Sequence, residues 1–535
     1  MDMYLEGYNT IRRRFLFLGF SQGFKLHANK PTVSVFANYH QSVQRNPHIV
    51  STKLSIELQA GRIAGPFVDP PFPVFVVSPI GLVPKKEAGA FRVIHDLSYL
   101  HNSHFSINET IPTEYCSVKY ETLDNVIDLV LQCGRNSLIA KADVQSAFRL
   151  LPISPSEYCL LGFQHQNNYY YDKRLPMGAS TSCATFEELS KALQWILQTR
   201  LGVTHVSHIL DDFIFISSAN SSQCQASLAI FLQLAEQLHI PINHNKTVNP
   251  TTCVTVHGVE LDTEAMIARL PQDKLVKAQS ELTQLLLKKK VTLHQLQSVI
   301  GFLNFACLVV KPGRAFLRRL IDLTKGLKKP HHHVRLTREA RRDIKAWLFF
   351  VQHHNGISIL MRQTWSSSHK LALFTDSAKS SGFAAVFGNN WVASTWDQDV
   401  ERYHITLLEM YPIILALYIW GPILKNKCIL FFTDNSAVAD ILNDQTSKDP
   451  SIMVLVRQFV LLSMKYNILF KLKHIPGHQN KLADALSRSQ IEYAFSLQTS
   501  LHVHPEPVPQ HLTLSRLMQH NSFQVLCQQH PSEHI

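Results

Sequence analysis

The chain has 535 residues, of which 45% are hydrophobic and 17% charged, a composition too apolar for a disordered protein. Its length exceeds what one core accommodates, and about three or four domains are expected. A net charge of +12, with pI near 9.2, suits a polyanionic partner, although charge alone does not separate nucleic acid from a membrane surface.

The nine cysteines are scattered without a C-x-x-C pair, which argues against a disulfide framework and a thiolate zinc site and fits a reducing compartment. The opening "MDMYLEGYNTIRRRFLFLGF" lacks an apolar core followed by a small-residue cleavage site, so no secretory signal is read and an intracellular place is expected, cytoplasm or nucleus being left open. "MYPIILALYIWGPIL", residues 410–424, carries no charge. It falls short of the roughly 20 apolar residues a bilayer requires, contains Pro412 and Pro422 and follows directly on Glu409, so it predicts a buried helix and no membrane partner.

From Leu54 the chain becomes dense in turns and short apolar runs. "GLVPKKEAGAFRVIHDL" predicts strand, turn and strand, with Lys85, Lys86 and Arg92 near or on the hairpin. "NSLIAKADVQSAFRLLPI" predicts an apolar strand ending at Asp143 and passing into a short helical pattern. "YYYDKRLPMGASTSCATFEELSKALQWILQ" predicts a strand, a Pro-Gly loop and an amphipathic helix to about Gln198. The hairpin "HILDDFIFI", the helix "SQCQASLAIFLQLAEQLHI" and the hairpin "KTVNPTTCVTVHGVELD" follow. This order closes into a small antiparallel sheet backed by helices, in which Asp143 can lie beside Asp211 and Asp212.

From Pro271 to about Gln363 the pattern is mainly helical and basic. Its run from Arg314 to Lys345, with His331, His332 and His333 inside it, reads equally as a solvated helix face or a phosphate-contacting surface. Near Lys370 an α/β unit begins: three short strands in a meander, a helix around Glu409, the strand "CILFFTDN", two helices, the strand "NILFKLKHI" and "NKLADALSR". The Pro- and His-bearing text after Arg488 suggests a linker or mobile tail.

Two adjacent aspartates between β-branched and aromatic residues read, taken alone, as a solvated hairpin turn. A metal offers another explanation. Clustered carboxylates repel one another unless a cation neutralises them, and two hard cations about 3.5 to 4 Å apart support in-line displacement at phosphorus.

"LVPKKEAGAFRVIHDL", "KADVQSAF", "LPMGASTSCATF" and "ILDDFIFI", in this order, resemble the finger and palm motifs of reverse transcriptases. The resemblance implies that Asp143 and Asp211 bind the catalytic metals, with Asp212 completing the acidic turn. It also implies that Lys85 and Arg92 contact the incoming nucleotide's phosphates, and that Phe148 packs against the sugar and excludes a 2′-hydroxyl. Gly178 would let the backbone approach template-primer or nucleotide closely. Lys246 reads equally as the acid that protonates pyrophosphate or as a solvated loop lysine. The sequence departs from the family pattern at Ile209, usually aromatic, and at Met177, usually glutamine in the nucleotide-binding loop; both lose a hydrogen-bonding group, which bears on fidelity and nucleotide affinity.

The second set is Asp376, Glu409, Asp434 and Asp484. Asp376 and Asp434 stand at strand ends, and an ionised Glu409 among Leu407, Leu408, Met410 and Ile413 is costly without a metal or a hydrogen-bond network. The pattern, closing on "HIPGHQNKLADALSR", resembles ribonuclease H, which implies a role in proton transfer or product release for His478. The implied fold is multidomain α/β (α+β): a right-hand polymerase followed by a ribonuclease H-like domain. The domains would be an N-terminal extension (1–53), fingers and palm (54–265), a helical basic thumb or connection (266–367), the nuclease domain (368–490) and a flexible tail (491–535).

"ELQAGRIAGPF", "GFLNFACLVVKPGRAFLRRLIDLTKG" and "LLEMYPIILALYIWG" resemble the DIRS type of retrotransposon, which is mobilised by a tyrosine recombinase. The resemblance implies RNA-directed DNA synthesis and hydrolysis of the RNA strand of a hybrid. Its partners would be an RNA template, a DNA primer, an RNA-DNA hybrid and deoxynucleoside triphosphates, with a recombinase from another chain. Each site would take two Mg²⁺ ions, with Mn²⁺ as the alternative. The competing expectation is a decayed or domesticated element that binds nucleic acid without chemistry.

Overall fold

The computed structural model describes all residues except 86–88, 100–105, 354, 359–365, 368–369, 372, 397–399, 426, 467 and 520–535. Two units pack separately: Met1–Val254 with Thr263–Ala265, and Thr255–Asp262 with the described residues from Met266 onward.

The first unit runs through helix α1 (Thr10–Gln22), the hairpin β1 (Ile80–Pro84) and β2 (Phe91–His95), and helix α2 (Leu123–Cys133). Strand β3 (Leu138–Asp143), the hairpin β4 (Gly162–His165) and β5 (Asn168–Asp172), and helix α3 (Ser182–Thr199) follow. The last elements are the hairpin β6 (Val206–Ile209) and β7 (Asp212–Ser217), helix α4 (Gln223–Gln237) and strand β8 (Val248–Thr251). Strands β8, β3, β7 and β6 form one antiparallel sheet in that order.

Alternation along β7 fixes its two faces. Phe213 and Phe215 stack on Phe231 of α4, with ring centroids 4.6 and 5.5 Å away. Asp212 and Ile214 take the opposite face, and the register sets Asp212 directly across from Asp143. Helix α3 buries Phe186, Leu189, Leu193 and Ile196 in the same core, at the spacing of one helical face. A slip of one residue between β3 and β7 would exchange Phe213 and Phe215 with Ile214 and Ile216 on two faces that are both buried and packed, so core packing holds the aspartates in register.

Of residues 1–53, an unexplained extension in the sequence, the first half belongs to this core, and Val43 and Val50 join a neighbouring cluster with Ile80 and Leu82. Leu5, Leu16, Phe24 and Leu26 are buried with the sheet's helices. Gly19 makes room for the Phe24 ring on α1, since a Cβ there would stand 2.0 Å from it.

The second unit continues with helices α5 (Gln272–Leu287), α6 (Leu293–Ala306) and α7 (Arg338–His353), then the meander β9 (Leu373–Ala378), β10 (Gly382–Phe387) and β11 (Asn390–Thr395). Helix α8 (Ile405–Trp420), strand β12 (Cys428–Thr433), helices α9 (Ser436–Asp444) and α10 (Pro450–Lys465), strand β13 (Leu469–His474) and helix α11 (Lys481–Ser487) follow. Strands β9 to β11 are antiparallel and β12 pairs with β13 in parallel. Helix α8 is buried nearly throughout, and among the described residues no helix is long and apolar enough to cross a membrane.

Two expectations change here. The helical region and the α/β region pack as one unit, tied by buried Asp343 of α7, which accepts from Arg319 at 3.0 Å and from Arg457 of α10 at 3.3 Å. Part of the basic run is thereby committed internally: besides Arg319, Arg341 caps the carbonyls of Leu286 and Lys288. The tail expected to be flexible is docked as far as Gln519. Leu512, Leu514 and Leu517 are buried, and the carbonyls of Leu512 and Leu517 accept from Tyr411 Oη and Gln458 Nε2. Its composition reads as linker because the apolar residues are sparse, yet each meets a waiting polar or apolar partner on α8 or α10.

If residues 1–26 are core, Phe24→Ala lowers the stability of the first unit by about 3–5 kcal/mol, against about 0.5 kcal/mol or less for a free extension, read as the shift in its urea unfolding transition.

Candidate active site

The first carboxylate cluster is built by the hairpin between β6 and β7. Ile209 pairs with Asp212, leaving Leu210 and Asp211 as a two-residue turn in which Leu210 takes φ +52°. A non-glycine residue in that region is strained. Two hydrogen bonds hold it: Ser190 Oγ of α3 donates to the Leu210 carbonyl at 2.7 Å, and Val144 N–H donates to the Asp211 carbonyl at 2.9 Å. The second bond links the turn to the end of β3, so that Asp143, Asp211 and Asp212 meet.

Each carboxylate has a different environment. Asp143 is buried and accepts from Lys246 Nζ at 3.1 and 3.3 Å. Burial pushes its carboxyl above the ordinary range, Lys246 pulls it back and Asp212 raises it again. Asp211 is raised too, first by burial and then by repulsion from Asp212 and Asp143, against the pull of its own backbone N–H and of Lys246. Asp212 accepts from Lys141 Nζ at 2.9 Å, while its other carboxylate oxygen is buried without a hydrogen-bond partner. An all-oxygen donor set with raised acids and an orphaned buried oxygen suits a hard divalent cation.

A cleft of about 1020 Å³ opens on this cluster. Lys85, Arg92, Phe148, Met177 and Lys246 line it together with Asp143 and Asp211. Lys85 and Arg92 are exposed at the tip of the β1–β2 hairpin, where Val83 pairs with Arg92; Lys86 lies outside the described residues. Phe148 lies on a 3-10 turn after β3, edge-on to Phe186. Asp212 and Gly178 are not among the cleft walls. Gly178 is required for an internal reason: a Cβ there would stand 1.8 Å from the His95 carbonyl oxygen, at the end of β2. Lys246 is largely exposed yet paired with Asp143, so it is not simply a solvated loop lysine.

The sequence did not reveal the charged network in the wall of the cleft. Arg149, beside Phe148, pairs with Asp172 at 2.6 Å and Glu57 at 2.9 Å, and Asp172 also accepts from His95 Nδ1 at 2.9 Å. Burial opposes ionisation of Asp172, yet Arg149 and His95 outweigh it and hold its carboxyl below the usual range; Glu57 is likewise held low by Arg62 and Arg149. These residues lie far apart in the chain, and only their burial signals the link.

In the second unit Asp376 of β9, Glu409 of α8 and Asp434 after β12 each offer an oxygen within 4.8 Å of the others. Burial, with repulsion from its neighbours, pushes Glu409 up to about 9; burial pushes Asp376 up to about 6 despite the hydrogen bond from Ser487 Oγ at 2.6 Å. Asp484 of α11 adds its charge to both and is bonded by Arg488 Nε at 2.7 Å, outside the triad. Asn480 fixes the loop before α11 by donating to the Thr375 carbonyl at 2.9 Å. His478 is exposed on that loop, next to Gly477, where a Cβ would stand 3.5 Å from Asp434 Oδ2. This donor set also fits a hard cation.

Two substitutions test these contacts. Gly178→Ala is expected to destabilise the first unit by about 1–3 kcal/mol in urea unfolding, since the carbonyl it meets is backbone. Arg149→Gln removes the guanidinium partner of buried Asp172 and leaves it only the hydrogen bond to His95, a loss of about 3 kcal/mol at pH 7. Because the paired carboxyls are held low, their stabilisation is present above the ordinary carboxylate range and lost as pH falls through the depressed values; unfolding measured from pH 7 to pH 3 should show the gap between parent and variant narrowing.

Residues 83–261 match the family described as reverse transcriptase (RNA-dependent DNA polymerase). The transposon Tf2-3 and Tf2-7 polyproteins of Schizosaccharomyces pombe are each 22% identical to the chain, over 440 and 439 residues, covering 77% of it. The chain spans 29% of the length of these curated relatives. Among solved structures, the foamy viral protease-reverse transcriptase dRH in complex with double-stranded DNA is similar with TM-score 0.50 and 15% identity, over 84% of this chain and 73% of that one. The fold is thus the mixed α/β one expected, a polymerase fold with a ribonuclease H-like domain, and residues 83–261 form a reverse transcriptase domain in a chain similar to retrotransposon polyproteins.

Proposed function

We propose that the chain is an RNA-directed DNA polymerase with ribonuclease H activity, which copies retrotransposon RNA into DNA and hydrolyses the RNA strand of the resulting hybrid. The observation that carries this reading is the convergence of Asp143, Asp211 and Asp212 at a cleft that Asp143 and Asp211 line together with Lys85 and Arg92. Such a cleft suits a triphosphate between cations and carboxylates.

In this reading Lys85 and Arg92 bind the phosphates, Phe148 packs against the sugar and rejects a 2′-hydroxyl, and Met177 supports the base from the loop before α3. Lys246 keeps Asp143 ionised and holds a proton at Nζ for the leaving pyrophosphate. Mg²⁺ or Mn²⁺, two ions per site, when bound would activate the attacking oxygen and stabilise the leaving one. Asp143 and Asp211 would hold the ions of the polymerase site, with Asp212 contributing its charge. Asp376, Glu409, Asp434 and Asp484 would hold those of the nuclease site, where His478 assists proton transfer or product release. The assignment to the DIRS type, with a tyrosine recombinase as partner, rests on the three sequence stretches that resemble it.

The test is extension of a DNA primer on an RNA template with Mg²⁺ and deoxynucleotides, following both strands. The intact chain should extend the primer and cut the template. Asp211→Asn should lose synthesis alone and Asp434→Asn cleavage alone, each by more than the roughly 10- to 100-fold that loss of an outer partner costs. Ser487→Ala, which removes the bond to Asp376, should fall within that range for cleavage and leave synthesis unchanged. A folded chain that binds the hybrid and does neither reaction would be a decayed or domesticated nucleic-acid binder.

A further inference from the structure

A second cavity, of about 720 Å³, lies in the first unit behind the turn that carries Phe148. Its walls are apolar, formed by Leu16 and Phe17 of α1, Leu189 of α3 and Ile240 after α4. Its charged lining is mainly basic, with Arg62, Arg149 and Arg174 beside the Arg13–Asp2 pair, which is closed on itself at 2.7 Å.

The charges on that lining do not balance. Arg62 and Arg149 share Glu57, at 2.8 and 2.9 Å, and Arg149 takes Asp172 as well. With Arg13 held by Asp2, the other three guanidinium groups have two carboxylates, Glu57 and Asp172, near them. Arg174 donates to the Leu150 carbonyl at 2.9 Å, and among the described residues no carboxylate is within salt-bridge distance of it. Burial and repulsion from Arg149 and Arg62 weaken its hold on its proton, against Tyr158. A half-buried cation without an anion is costly, and an arriving anion relieves that cost.

We propose that this cavity binds an amphipathic organic anion, a carboxylate with an apolar chain, its head on Arg174 and its chain along α1 and α3. A partly open, largely apolar cavity with one cation that lacks a carboxylate suits one charge on an apolar body, and not a nucleic-acid strand that carries a phosphate at every step. The N-terminal segment acquires a role as one wall of the site. Arg149 lines both this cavity and the cleft on the carboxylate cluster, so it would feel an occupant of either.

Binding is measured on the full chain by titration calorimetry with decanoate, and separately with inorganic phosphate, neither of which requires polymerase activity. Decanoate should saturate a single site, and phosphate should not. Arg174→Gln should weaken decanoate roughly tenfold or more, the worth of a charge-assisted hydrogen bond. Phe17→Glu, at an exposed wall position, should do the same by placing a carboxylate beside the chain, and it decides the matter if the arginine variant fails to fold. Absence of saturable heat with decanoate, unchanged affinity in folded Phe17→Glu, or equal binding of phosphate would overturn the proposal.

Discussion

Repulsion between carboxylates held at the ends of buried strands is the constraint around which both candidate sites are arranged. Asp143 and Asp212 face each other across the β3–β7 ladder, and Asp376, Glu409 and Asp434 converge from a strand, a helix and a second strand. Neither arrangement is stable on charge grounds, and both are imposed by apolar burial elsewhere. Phe213 and Phe215 against α4 set the register of β7, and the buried length of α8 sets the depth of Glu409. Core packing worth several kcal/mol thus maintains an electrostatic conflict that a bound cation would resolve.

The two clusters manage the conflict differently. In the first, lysines supply part of the answer: Lys141 holds Asp212 and Lys246 holds Asp143, which keeps the hairpin formed while leaving Asp211 facing the cleft. In the second, a hydroxyl does so for Asp376, and Glu409 is left to its burial, which pushes it up to about 9. A protonated Glu409 at neutral pH is the low-cost state of that site by itself; a cation would compete with the proton.

In the wall of the cleft, the Glu57–Arg149–Asp172–His95 network joins the strand that ends the β1–β2 hairpin to the turn bearing Phe148. Gly178 packs on the same residue, His95, through its carbonyl. Part of the cleft wall is therefore a buried ion-pair network whose members come from distant elements, and this makes Arg149 a sensitive position although no short motif marks it.

By itself the sequence determined the sheet of the first unit, the meander of the second and the positions of the acidic residues. The reason is local: alternation of apolar residues, Pro-Gly punctuation and strand-ending aspartates are written within a few residues of one another. It also marked α8 as buried, through its length and prolines. Tertiary structure alone decided the rest. Whether "RRRFLFLGF" is an extension or a wall of the core depends on Phe24 finding space over Gly19; whether the tail is mobile depends on Leu512 meeting Tyr411, 101 residues back, and Leu517 meeting Gln458, 59 residues back. The partner of each buried charge, Arg149 with Asp172 or Asp343 with Arg457, is equally non-local. Periodicity reports how a residue faces its own element, and it carries no information about which distant element will lie against that face.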